Sequence, residues 1–281
     1  MGIFDFLKKK NQVPPPEEEW GNYPQMLTAK LLFENAPVFD RQSILEELKK
    51  VFTEVDNPSP QLFFFPEIRV ELADKVIPAQ CTIFFPDAGK VEAVVSPESF
   101  QQNWHWSEAT KAAVACRYEV LLSDFMTRQL DYKSRLMLFM NFLTAVTKAM
   151  NPQVVYALGA QKLIAPADLV DSWENSEKRA LHGLVNVRLF NVSNGVEGET
   201  ILDTVGLYLL GLPDFQIRFT HLDESEVGQL LWNYAYYTYE QGDVITDGST
   251  IQGLTPGSKW KCERQESLVA PERMVINIQP V

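Results

Sequence analysis

The chain has 281 residues, 46% hydrophobic and 22% charged, the balance of a globular protein long enough to bury a sizeable core. Its formal net charge of −12 repels phosphate backbones and sets nucleic-acid partners aside. No apolar run approaches the ~20 residues of a membrane span, so integral membrane association is not expected.

The N-terminal "MGIFDFLKKK" places its positive charge after the apolar residues, the wrong order for a signal peptide. Gly2 does not begin a myristoylation motif, because Phe6 stands where Ser or Thr is wanted. Ile3, Phe4, Phe6 and Leu7 beside three lysines leave two readings for residues 1–10: a weak surface anchor on a membrane, or a plain terminal turn. Residues 11–19, "NQVPPPEEE", read as an extended, solvated linker. Residues 20–281 then read as one continuous body.

Three strand–helix units follow. "KLLFENA" (30–36) is strand-like, and Asp40 caps a helix with Ile44, Leu45, Leu48, Val51 and Phe52 on its apolar face. "CRYEVLLS" (116–123) leads to a helix carrying Leu136, Phe139, Met140, Leu143 and Val146. "FQIRFT" (215–220) alternates with period two, and Asp223 caps a helix with Glu226 in capping-box position. Further strands are expected at 80–86 and 91–96 around an Asp87-Ala88-Gly89-Lys90 turn, and at 153–158, 184–190, 200–210 and 274–279. Strands joined by both hairpins and helices predict an α+β fold: a mixed, mostly antiparallel sheet with helices packed on it, and a possible internal duplication of the units. In "TVGLYLLGLPDFQIRF" (204–219), Gly211, Pro213 and Asp214 suit a tight corner between two strands and need no chemistry to explain them.

Chemical motifs are sparse. Cys81, Cys116 and Cys262 are far apart and never in a CxxC spacing, which fits buried thiols in a reducing cytoplasm. His105, His182 and His221 form no HExxH or related metal motif, no phosphate loop or GxSxG elbow is present, and no cofactor or metal is expected. "NWHWSE" (103–108) would put Trp104 and Trp106 on one face of a strand, as a ligand platform or as a clamp over the core. Asp203, Asp214 and His221 fall near the third unit's strand ends and could support acid–base work, although Asp214 already suits a turn. In "LLWNYAYYTYEQGD" (230–243), Tyr234 and Tyr237 share a side and Tyr236 and Tyr239 lie partly elsewhere, so some tyrosine must reach a surface that could bind a partner.

"DTVGLYLLGLPDFQIRF" (203–219), its following helix and the later "DGSTIQG" (247–253) resemble the bacterial domain of unknown function 4261. The likeness spans about 196–280, and "LIAPADLVDSWE" (163–174) is similar to the segment that commonly precedes this domain. Gln216 stands where that family often has an acidic residue. The resemblance implies a bacterial, intracellular protein and supplies no catalytic residues.

The reading that follows is a cytoplasmic, non-enzymatic module that binds another protein, with the acidic balance pointing to a basic one, in an immunity-like or regulatory role, with Trp104, Trp106, Tyr236 and Tyr239 as candidate contact residues. The alternative is a hydrolase-type enzyme using His221 with Asp203 or Asp214.

Overall fold

The computed structural model describes residues 22–85, 95–175, 180–193 and 195–280. Residues 1–10 with their two readings, the linker and most of the 80–96 hairpin's turn and second strand lie outside these residues. The first half of the chain runs β1 (Thr28–Phe33), α1 (Arg41–Leu48), β2 (Asp56–Ser59), β3 (Leu62–Glu71), β4 (Val76–Phe84), α2 (Pro97–Gln101), α3 (Ala109–Ala115), β5 (Tyr118–Phe125), α4 (Tyr132–Met150), β6 (Val154–Ala157), β7 (Lys162–Ile164) and α5 (Pro166–Glu174). The second half runs β8 (Asn186–Asn191), β9 (Thr200–Val205), β10 (Asp214–Phe219), α6 (Glu224–Gln241), β11 (Thr250–Gln252), β12 (Lys259–Glu266) and β13 (Met274–Gln279).

The fold is α+β, built on two sheets. The first has the order β2-β3-β4-β5-β1-β6-β7, the second β11-β12-β13-β10-β9-β8. The ladders are antiparallel except for β10 beside β13. One sheet was expected. The division has a physical reason: strongly twisted open sheets rarely exceed about ten strands without splitting. A single core cluster nevertheless runs through both halves, from Phe63, Phe65 and Phe142 to Leu207, Phe215 and Trp260.

Asp40, Asp131 and Asp223 each accept a hydrogen bond from the backbone N–H three residues on, fixing the starts of α1, α4 and α6. In each sheet three successive antiparallel strands lead into a long helix: β3-β4-β5, with α2 and α3 inserted between β4 and β5, into α4, and β8-β9-β10 into α6. Two of the three expected strand–helix units thus share one arrangement.

The expected strand at 200–210 ends at Val205. Gly206 turns at φ 137, Leu207–Leu210 form a 3-10 helix, and Gly211 closes it at φ 81. The corner before β10 is therefore a helical turn plus a glycine.

The halves are tied together by a buried arginine. Arg135 on α4 pairs with Asp124 at 2.7 Å and donates to the Leu209 carbonyl at 2.9 Å in the 3-10 turn. Asp124 also accepts the Leu27 N–H at 2.7 Å. Both charged side chains are 1% exposed, so their hydrogen bonds hold β1, β5 and the second half in one register.

Candidate functional site

Asp203 and Asp214 do come together, inside a neutral cluster of two arginines and two aspartates. Arg188 on β8 grips Asp203 with Nε at 3.0 Å and Nη2 at 2.5 Å, a bidentate pair across adjacent strands. Arg273 reaches Asp203 at 2.6 Å and Asp214 at 3.1 Å. Asp214 also accepts from the Thr204 hydroxyl and from the N–H groups of Gly206, Leu207 and Tyr208, at 2.9–3.3 Å. One carboxylate thus organises the whole turn before its own strand. Burial pushes the Asp214 carboxyl above its usual range, while Arg273 and the Thr204 hydroxyl pull the other way. Burial also works against the Arg273 charge, but Asp214 and Asp203 outweigh it and its pKa rises.

His221 does not join this cluster. It is exposed, at φ 61, in the bend beyond the far end of β10. The strand from Asp214 to Phe219 alone spans about 17 Å. The two aspartates therefore meet each other and arginines, and the histidine stands apart from both.

An open cleft of about 770 Å³ borders the cluster, with Tyr208 and Arg273 on its wall and Arg128, Glu266 and Glu272 at its rim. The Tyr208 hydroxyl donates to the Gly159 carbonyl at 3.2 Å, and burial raises its pKa. Among the described residues, no group of three His, Cys, Asp or Glu side chains is placed to hold a metal. The three cysteines are separate, buried thiols.

On a strand, "NWHW" (103–106) would put both tryptophans on one face; it forms instead a turn between α2 and α3. The reason lies in the two sheet edges that it closes. Gln102 accepts from the Leu189 N–H at 2.9 Å and donates to the Leu189 carbonyl at 2.8 Å, pairing with β8 as a neighbouring strand would. Asn103 accepts from the Leu163 N–H at 2.9 Å, and His105 Nε2 donates to the Leu163 carbonyl at 2.9 Å, doing the same for β7. One short segment thereby staples the facing edges of both sheets. Burial and the nearby Lys162 charge lower the His105 pKa to about 4, so the ring is neutral in this role.

Trp106 packs against a small second core with Val95, Ala109 and Leu163, while Trp104 is 53% exposed. Tyr239 is buried against Tyr132, contrary to its expected place on a binding surface. Tyr236 is half-buried and lies 6.0 Å from the Trp232 ring, and Tyr237 carries the exposure instead.

Residues 203–279 match a family described as a domain of unknown function, DUF4261. The matched region holds Asp203, Asp214 and Arg273 together with β10, α6 and β11–β13. Arg188, which completes the charge cluster, lies outside it. No curated protein and no solved structure matches the chain.

Sequence reasoning missed Arg188, Arg273 and Arg135. The available signal was local: Arg188 alternates with Val187 and Leu189 in a run otherwise typical of a strand with both faces covered.

A further feature has no counterpart in the expected sites. The outer face of the first sheet is covered over β6 and β7 by α2 and α3. Over β3, β4 and β5 it presents two rows with large apolar members. Phe64, Gln80 and Phe125 are in register in one row, and Phe84 and Leu121 in the other. Phe84 and Phe125 are 45% and 46% exposed. Between the rows lie half-buried Leu62 and the buried Thr82 and Ser123, in register, as the floor of a trough across the strands.

Proposed function

We propose that the protein is a non-enzymatic binding module that receives an amphipathic helix of a basic partner protein in this trough. The observation that carries the reading is the pair of half-exposed phenylalanines on a sheet face, where a soluble strand would ordinarily carry polar side chains. On β4 and β5 the rows are four residues apart, about 13 Å. That matches the ~10–12 Å diameter of an α-helix with its side chains. The net charge of −12 favours a positively charged partner and works against pairing with a second copy or docking on an anionic lipid surface. The catalytic alternative lacks comparable support, because the two acids are engaged by Arg188 and Arg273 and His221 is distant. Unpaired buried thiols suit a reducing compartment, and an intracellular setting is part of the proposal.

The test is site-specific cross-linking with a photoreactive phenylalanine analogue in place of Phe125, in cells of the source organism. The expected adduct is one protein, attached through a basic amphipathic segment, and it disappears when Phe84→Asp is added. Adducts to lipid, to a second copy, or to residues 1–10 of the same chain would each overturn the partner reading.

A further inference from the structure

A second site lies at the opposite edge of the first sheet, where β7, β8 and the start of α6 surround a cavity of about 350 Å³. This volume is within the ~300–1,000 Å³ typical of small-molecule sites. Trp104 and Trp232 both line it, and Trp104 presents a half-exposed ring. Around the rings the wall is polar: Asn186 and Gln229 offer amide oxygens, their NH₂ groups being engaged by the Gln102 and Gln161 carbonyls and by Asn233, while Ser225 brings a hydroxyl and Glu224 a carboxylate.

The charges limit the ligand. Lys162 brings a buried ammonium, held by the carbonyls of His182 at 2.7 Å and Val185 at 3.1 Å and lying 5.4 Å from the centre of the Trp232 ring. It disfavours a cationic ligand. Glu224 on the same wall disfavours an anionic one. His105 adds no charge at neutral pH. A ligand with an apolar face for the tryptophans, hydroxyls that donate to these acceptors, and no net charge suits this wall. We infer that the Trp104–Trp232 cavity binds a neutral, hydroxyl-rich ring of the monosaccharide type.

The site's scaffold is rigid for a reason independent of any ligand. Gln102, Asn103 and His105 are fixed by the edge staple, which sets the Trp104 ring beside α6. Pre-set aromatic walls reduce the ordering cost of binding.

The experiment uses the full chain with glucose, galactose and N-acetylglucosamine as probes. Tryptophan fluorescence and saturation-transfer NMR are recorded for the wild type, Trp104→Ala, Trp104→Phe and Glu224→Gln. The expected result is saturable binding of at least one probe, weakened roughly tenfold or more by Trp104→Ala and partly recovered in Trp104→Phe. Trp104 and Glu224 are both exposed, so the variants keep the fold, and circular dichroism checks this. No saturable signal with any probe, or binding unchanged by Trp104→Ala, overturns the inference. Neither result touches the trough on β3–β5, whose cross-linking test stands separately.

Discussion

Asp214→Asn is the sharpest test of the charge cluster. The substitution keeps the size of the side chain and removes its charge. One Asp214 oxygen accepts from Thr204 and Leu207, the other from Gly206, Tyr208 and Arg273. An amide has only one acceptor oxygen, so either orientation turns its NH₂ toward groups that themselves donate. Arg273 is at the same time left with Asp203 as its remaining carboxylate partner, which Arg188 already shares. Breaking a buried pair from one side costs about 3–5 kcal/mol, a large part of the ~5–15 kcal/mol that holds a domain together. Urea unfolding followed by circular dichroism reads this as a lower midpoint with an unchanged slope. A loss below about 1 kcal/mol, the size of an ordinary surface substitution, would refute the view that this carboxylate organises the turn. A double-mutant cycle with Arg273→Met should show coupling, because the two side chains are in direct contact.

Gly206→Ala should be more damaging than any exposed Gly→Ala change: a Cβ would sit 2.1 Å from the Leu184 carbonyl oxygen, at φ 137, and thermal unfolding should drop by several degrees or the chain should fail to accumulate. Gln102→Ala should cost about 1–3 kcal/mol and promote self-association measurable by light scattering, because it bares the Leu189 N–H and carbonyl on the edge of β8. Between pH 7 and about 4, the His105 contribution should fall as the pH falls. The unfolded ring takes up a proton near 6.5 while the folded ring, at about 4, does not, so the unfolded state binds more protons across that window. Partial exposure of His105 keeps the effect small, and His105→Gln should flatten the slope of stability against pH.

Much of the helix framework was legible because its determinants are local. Asp40 and Asp223 stand immediately before periodic apolar stripes, and both cap as the spacing requires. The turn role of Asp214 was also legible, since a carboxylate beside a Gly-Leu-Pro corner has backbone amides within reach. Its arginine partners were not. Asp203 meets Arg188 and Arg273 at separations of 15 and 70 residues, and no short-range pattern links them. The division into two sheets was hidden for the same reason: β1 pairs with β5 and β6, both far along the chain. The staple role of "NWHW" was not legible either, because the edges that Asn103 and His105 serve belong to strands far along the chain. The trough was invisible because it needs the registers of β3, β4 and β5 together, and the phenylalanine run at 63–65 alone reads as core.

The way the edges are handled bears on how a partner can bind. Two of the sheet edges, β7 and β8, are occupied by Gln102, Asn103 and His105. The remaining two are poor templates for an added strand. β2 has four residues, includes Pro58 and pairs irregularly with β3, and β11 has three residues. Strand addition therefore has little backbone to work with, whereas the outer face of β3–β5 offers half-exposed aromatic side chains in register. Recognition through side chains on a face predicts sensitivity to charge. Phe84→Asp and Phe125→Asp should each abolish partner binding, measured by isothermal titration once the cross-linked partner is purified. Neither position contributes to the core cluster, so both variants should unfold at a urea midpoint close to that of the wild type. Binding that survives both substitutions would move the interface elsewhere on the molecule and remove the basis for a helix in the trough.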